Sequence, residues 1–341
     1  MGRGTLLNGH TLTSVEICAG AGGQAIGLEQ AGFEHRALVE YSEDACKTLR
    51  MNRPGWQILQ KDVREFNPIE DAGITHVDLL AGGVPCTPYT EAGKQLGSSD
   101  ERDLLPEVLR LTEILHPKAV MIENVHTLAT QEKFAGTRNV FFKELSSLGY
   151  DPNITVLDAQ DFGVPQRRKR AVIVAFRMDV SGTFNWPEKK WELPPTVGET
   201  LAESMASNGW PGATAWARTA SSVAPTLVGG SMKHGGGDLG PRRSKQQWAR
   251  MCVNGNSTWA TPPAHDFVLE HGVGKNGWEG YPKLTYQQAA LLQGFPADWQ
   301  FSGTRTNAYK QVGNAFPPPV ARAVGTSITE TLRASYLDKA A

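Results

Sequence analysis

The residues best able to do chemistry fall in a few short stretches. Cys86 lies between two prolines in Gly83-Val84-Pro85-Cys86-Thr87-Pro88. A loop of this kind presents a thiol instead of burying it, and a presented thiolate is a strong nucleophile. Glu123, in Ile122-Glu123-Asn124-Val125, ends an apolar run. A carboxyl there can give a proton to a reacting base if burial raises its pKa. In Gln166-Arg167-Arg168-Lys169-Arg170, alternation puts Arg168 and Arg170 on one side and Arg167 and Lys169 on the other. The turn Ala19-Gly20-Ala21-Gly22-Gly23 brings backbone amides close to a ligand at a helix start. Glu40 follows Gly20 by 20 residues, an offset at which a carboxylate accepts from both ribose hydroxyls. Asp62, in Gln60-Lys61-Asp62-Val63, is a further loop carboxylate. Each has a plainer reading: a tight turn, an inert thiol, a helix cap, a solvated basic loop. Their arrangement decides between the two.

The elements around these residues repeat one rhythm through the first 180 positions: a short apolar strand, a loop, an amphipathic helix. Ser14–Cys18, Ala37–Val39, Val77–Ala81, Ala119–Ile122 and Ala171–Ala175 read as strands. Ile26, Leu28 and Ala31 belong to one intervening helix, and Leu104, Val108, Leu111 and Leu115 form the stripe of another. This alternation predicts an α/β fold with a mixed, mostly parallel sheet covered on both faces. Ligands bind beyond the carboxyl ends of such strands, where the glycine turn, Cys86 and Glu123 all fall.

The rhythm breaks at about residue 181. From there to about 283 the chain is rich in Gly, Pro and Trp and holds seven of the nine tryptophans. It reads as a smaller, irregular second domain of loops and short strands, with the tryptophans as core. Order resumes at Leu284, and Pro317-Pro318-Pro319 opens a last helix with Val320, Val324 and Ile328 on one face.

A net charge of −1 excludes a polycation held to nucleic acid by bulk charge, but not a locally basic groove. No stretch nears the roughly 20 apolar residues of a membrane span, and the start lacks a secretory apolar run. Four cysteines without a CxxC pair argue against a disulfide scaffold and a cysteine zinc site. A reducing, cytoplasmic setting is expected.

In this order, the segments resemble the DNA cytosine-5 methyltransferases over nearly the whole chain. Ala19–Gly23 is similar to the family's first motif, which holds the methionine part of S-adenosylmethionine. Glu40 matches its ribose ligand, Tyr41 lies beside the adenine, and Asp62 matches the residue reading the adenine amino group. Pro85-Cys86 resembles the catalytic dipeptide, Glu123-Asn124-Val125 the acid motif, and Gln166–Arg168–Arg170 the QxRxR motif. Ala224-Pro225-Thr226-Leu227 resembles a segment near the end of the recognition region, Leu284–Pro296 the hinge, and Tyr309–Ala315 the last motif. Departures are Glu16 where the family has Asp, Cys18 where it has Phe, Val84 before Pro85, and Thr87-Pro88-Tyr89-Thr90 in place of Gln-x-Phe-Ser.

The resemblance implies a Rossmann-like S-adenosylmethionine-dependent domain at 1–180, completed by 304–341, with target recognition at 181–283 and a hinge at 284–303. It implies catalysis by Cys86, Glu123 and Arg168, with Arg168 assisting at the cytosine O2 and at the Glu123 carboxylate. Cofactor contacts are implied for Cys18, Ala19, Gly20, Gly22, Gly23, Glu40, Tyr41, Asp62, Val63, Gly83, Pro85, Leu105, Asn314 and Ala315. Contacts to DNA are implied for Gln166, Arg170 and Thr226, and the basic residues Arg242, Arg243, Lys245 and Arg250 are added as candidates for phosphate or guanine contacts. The implied reaction is addition of Cys86 to C6 of a flipped cytosine, methylation at C5, and release of S-adenosylhomocysteine, with no metal. Double-stranded DNA is the expected partner of a nucleoid-associated monomer from a bacterial modification system, with a restriction endonuclease acting on the same site. Two rivals stay open at this point. An NAD-dependent oxidoreductase would use the glycine turn and Glu40 but leaves Cys86 and Glu123 idle, and a tRNA methyltransferase would share the catalytic half.

Overall fold

The structure is a computed structural model and describes residues 11–85, 103–189, 192–229 and 237–340. The chain packs as two compact units. The first comprises Met1–Leu157, Lys169–Glu188 and Val320–Ala341; the second, Asp158–Arg168 and Lys189–Pro319.

Unit 1 is built on β1 (Leu12–Ile17), β2 (Phe33–Glu40), β3 (Ile58–Gln60), β4 (Leu79–Gly83), β5 (Ala119–Val125), β6 (Tyr150–Asp158) and β7 (Lys169–Arg177). Among the described residues these form one sheet in the order β3-β2-β1-β4-β5-β7-β6. β1 pairs in parallel with both β2 and β4, β2 with β3, and β4 with β5, while β7 runs antiparallel to β5. The chain moves outward from β1 to β3, then returns to lay β4 on the other side of β1. That reversal opens a crevice at the carboxyl ends of β1 and β4.

Val15, Ile17, Leu79, Leu80, Val120, Met121 and Ile122 are all fully buried, as strands covered on both faces require. The cover includes α1 (Gly23–Gln30), α2 (Glu43–Asn52), α4 (Leu105–Leu115) and the closing helix α12 (Pro318–Ala340), with α3 (Pro68–Ala72), α5 (His126–Thr130) and α6 (Ala135–Ser147) between them. Val320, Val324, Ile328 and Leu332 form the buried stripe of α12. Gly325 lets that helix press on α1, since a β-carbon there would lie 2.9 Å from Ala31 and 3.0 Å from Leu28.

Unit 2 departs from the expectation of short strands. It carries α7 (Val197–Ala206), α8 (Ala213–Thr219), α9 (Arg242–Arg250), α10 (Tyr286–Gln293) and α11 (Arg305–Asn314). Within it the described residues form only isolated bridges such as Gln166 with Ala224. The tryptophans supply the reason. Trp210, Trp216, Trp248 and Trp278 are at most 9% exposed, so large rings make a core that no sheet is needed to complete. Among the described residues no helix is long and apolar enough to cross a membrane.

Candidate active site

In unit 1 the strand register gathers the residues at the crevice. Ile17 pairs with Gly82 and Gly83 with Glu123, so the exits of β1, β4 and β5 lie side by side. Gly83 makes that approach possible, because a β-carbon on it would meet Glu123 Oε2 at 3.4 Å and the Cys18 carbonyl at 3.9 Å. Val84 and Pro85 continue from it. Cys86, next in the chain, lies outside the described residues.

Glu123 is only 8% exposed, and its Oε1 accepts from Arg170 Nε at 2.7 Å. The antiparallel register puts Val125 opposite Arg170 and Glu123 opposite Val172, which makes Glu123 and Arg170 diagonal neighbours on one sheet face. The family resemblance implies Arg168 beside this carboxylate; the contact in unit 1 is made by Arg170. The alternation itself is as expected, with Arg167 and Lys169 exposed, Arg168 buried and Arg170 half-buried.

The glycine turn lies at the crevice mouth. Gly20 and Gly22 both take positive φ, +54° and +86°, and Gly22 caps α1. A side chain at Gly20 would meet nothing within 4 Å, so the space ahead of the turn is open. Glu40 closes one side: its Oε2 accepts from Gly20 N and its Oε1 from Ser42 N, each at 2.8 Å. Burial pushes the Glu40 carboxyl above its usual range, opposed by those two amides and that of Tyr41. Each oxygen keeps acceptor capacity for a ribose hydroxyl. Tyr41 beside it is 72% exposed, an aromatic face held out at the end of β2. Asp62 caps a single 3₁₀ turn through Arg64 N at 3.0 Å, with buried Val63 behind it. Leu105, at the start of α4, is 4% exposed.

Both departures in the first motif carry ionisable side chains, Glu16 buried and Cys18 half-buried. Burial, then the neighbouring Glu40, raises the Glu16 carboxyl well above its usual range, and its Oε2 has no hydrogen-bond partner among the described residues. Cys18 stands at φ +52°, and burial, then Glu40, Asp62 and Glu16, pushes its thiol far up. An upward shift disfavours the thiolate, which makes Cys18 a poor nucleophile.

Unit 2 carries the other predicted residues. Gln166 is fully buried and spends its amide inside the unit: Nε2 donates to Gln293 Oε1 and to the Leu292 carbonyl, and Leu227 N donates to Oε1. A DNA contact from this side chain is therefore not what the structure presents. Thr226 Oγ1 donates to the Arg167 carbonyl at 2.7 Å. Arg168, 1% exposed, donates to the carbonyls of Leu227 at 2.6 Å and of Gly313 and Ala315 at 2.9 Å. It ties the QxRxR segment to the 224–229 loop and to the C-terminal end of α11. Asn314 is exposed and Ala315 buried. Arg242 and Arg243 are exposed on α9, whereas Lys245 turns inward to Asp238 at 3.1 Å.

A structural role for Arg168 has a measurable consequence. Charge-assisted bonds are worth about 1.5–3 kcal/mol each. Arg168→Ala should cost about 3 kcal/mol or more, and thermal denaturation should show a Tm lower by roughly 6 °C or more. An unchanged Tm would contradict that role.

An open, switch-point sheet with a glycine turn and a buried ribose-type carboxylate defines an α/β enzyme that takes a nucleoside cofactor. The family model for C-5 cytosine-specific DNA methylases matches residues 12–330. The chain is 46% identical over 327 residues to the Type II methyltransferase M.NaeI of Lentzea aerocolonigenes, covering 95% of this chain and 76% of that one. It is 45% identical over 333 residues to the Type II methyltransferase M.NgoMIV of Neisseria gonorrhoeae, covering 94% and 98%. In fold it is similar to a DNMT2 variant of Spodoptera frugiperda, with a TM-score of 0.64 at 17% identity, covering 94% of this chain and 100% of that chain. The Entamoeba histolytica methyltransferase EhMeth gives 0.63 at 16%, covering 96% and 99%.

The chain belongs to the C-5 cytosine-specific DNA methylase family. It uses S-adenosylmethionine to methylate C5 of cytosine in DNA, which removes the hydride-transfer and tRNA readings.

Proposed function

We propose that this enzyme methylates one cytosine of a specific duplex site, with Cys86 as nucleophile on a base flipped out of the helix. The observation that carries this reading is the buried Glu123–Arg170 pair, 2.7 Å long, beside the strand whose exit leads into Pro85-Cys86. Cytosine C5 is a weak nucleophile until electrons are pushed into the ring. Cys86 Sγ bonds to C6, and the displaced π pair builds charge toward N3 and C5. We assign to Glu123 the hydrogen bond to N3 as that charge grows, its carboxylate taking up a proton as the base binds, with Arg170 holding it in place through Oε1. After methylation the C5 proton passes to solvent water, its bonding pair re-forms the C5–C6 double bond, and the C6–S pair leaves on sulfur, which returns the thiolate.

The open turn at Gly20, the paired oxygens of Glu40, the exposed ring of Tyr41 and Asp62 fit S-adenosylmethionine, and Cys18, Ala19, Gly22, Gly23, Val63, Gly83, Pro85 and Leu105 are assigned to it as well. That molecule supplies the electrophilic methyl group and leaves as S-adenosylhomocysteine. Asn314 and Ala315 are assigned to complete its pocket. Glu40→Ala removes two charge-assisted bonds to ribose and should weaken S-adenosylhomocysteine binding by roughly 100-fold or more. Calorimetric titration with an unchanged Kd would remove Glu40 from the site.

Thr226, Arg242 and Arg243 are assigned to DNA, and Arg168 to organising the recognition unit. Residues 1–180 with 304–341 are taken as the catalytic part, 181–283 as the recognition part and 284–303 as the hinge, although compact packing groups 304–319 with unit 2. The type II relatives support a modification enzyme, and we assign it a companion endonuclease cutting the same site and a cytoplasmic, nucleoid-associated, monomeric form. Incubating the enzyme with plasmid DNA and tritiated S-adenosylmethionine should leave label only in 5-methylcytosine at one short motif. Label in N4-methylcytosine or N6-methyladenine, or label without a motif, would overturn the reading.

A further inference from the structure

Helix α9 reads Arg242-Arg243-Ser244-Lys245-Gln246-Gln247-Trp248-Ala249-Arg250, four cations and no carboxylate in a chain of net charge −1. The exposed positions on it are Arg242, Arg243, Gln246 and Arg250. At about 100° per residue, these four fall within an arc of about 100°. Trp248, fully buried, lies on the opposite side. An ordinary solvated helix mixes the two signs of charge. This face carries one sign with an amide among it.

Both ends of α9 are fastened inside unit 2. At the start, Lys245 leaves the arginine face and pairs with Asp238 Oδ2 at 3.1 Å. Asp238 Oδ1 accepts from Gly240 N at 3.0 Å, and Gly240, at φ +105°, turns the chain into the helix. Past the far end, Val253 N donates to the Trp248 carbonyl at 3.1 Å, and Cys252 at φ +52° makes the reversal. Trp216 Nε1, from α8, then donates to the Cys252 carbonyl at 3.1 Å. The four exposed side chains make no hydrogen bond or ion pair among the described residues and ride on a helix tied at both ends. Recognition groups held on a rigid element discriminate better than the same groups on a mobile loop.

From this we infer that α9 enters the major groove of the target duplex and reads base edges through Arg242, Arg243, Gln246 and Arg250. The inference rests on the proposed methylation of duplex DNA and adds the element and side chains that select the site. A helix about 10–12 Å across fits the roughly 12 Å major groove. From Arg242 to Arg250 the axis rises about 12 Å, which spans three to four base pairs. An arginine fork matches O6 and N7 of guanine, and a glutamine amide matches N6 and N7 of adenine, so this helix suits a site rich in guanine contacts.

The test uses the full-length enzyme with Arg242→Lys, Arg243→Lys, Arg250→Lys and Gln246→Ala, on a plasmid library of random inserts. Bisulfite sequencing gives the methylated motif and tritiated S-adenosylmethionine gives initial rates. Lysine keeps the charge but loses the fork, so a base-reading arginine is not replaced by it. At least two variants should be roughly 5- to 150-fold slower at the wild-type site and relax the motif at one position each, with Tm unchanged. Unaltered rate and motif would overturn the inference. So would variants that slow all sequences equally, or arginine positions fully rescued by lysine, since either marks phosphate contacts alone. Wild-type enzyme that leaves no 5-methylcytosine would remove the underlying reading instead, and this inference with it.

Discussion

Cys86→Ser should abolish methyl transfer, lowering kcat by roughly 10⁴-fold or more, while S-adenosylhomocysteine binds as it does to wild type. A serine hydroxyl at neutral pH is a far weaker nucleophile than a thiolate, and no base placed to activate it is part of the mechanism. Because Cys86 makes a bond in the reaction, its loss cannot be offset by tighter substrate binding. Cys18 is a poor substitute for it, because burial and the surrounding carboxylates push that thiol up and disfavour its thiolate. Cofactor binding separates this outcome from misfolding. Turnover within tenfold of wild type in the serine variant would remove Cys86 from the mechanism.

Glu123→Gln is the second large effect, a loss of roughly 10²- to 10⁴-fold in kcat. The amide keeps the size and part of the hydrogen bonding but cannot give a proton to N3. It also breaks the charge match with Arg170, whose Nε is 2.7 Å from Glu123 Oε1. The carboxylate is buried on a fully covered strand, so the arginine is left with a neutral partner in a place with little water. Single-turnover rates with saturating DNA and S-adenosylmethionine measure the chemical step directly. Rates near wild type would mean that N3 needs no acid from this residue.

Much of this centre is legible in the linear chain. Alternating apolar runs and helices announce the parallel sheet, and the glycine turn, Glu40, Pro85-Cys86 and Glu123 each stand at a strand exit. Two features are not legible. Which arginine meets Glu123 depends on the β5–β7 register, and a slip of two residues would exchange Arg170 for Arg168. Only the pairing of Val125 with Arg170 settles it. Gln166 reads equally well as a surface amide; its three bonds to Leu227, Leu292 and Gln293 come from segments more than 60 positions away. The second unit is the least legible. Its Gly, Pro and Trp content points to loops and short strands, but the tryptophans pack among short helices, where local periodicity is too brief to register. The inward turn of Lys245 likewise depends on Asp238, seven positions earlier, and on where the helix rotates its faces.

The most direct measurement is covalent trapping. A duplex carrying 5-fluorocytosine at the target, incubated with enzyme and S-adenosylmethionine, cannot lose fluorine as a cation, so elimination is blocked. The wild-type enzyme should remain attached to the DNA through denaturing electrophoresis, with the DNA located on the peptide containing Cys86 and the Cys86→Ser variant giving no adduct. Methylation of ordinary cytosine by an enzyme that never forms this adduct would contradict the mechanism at its core.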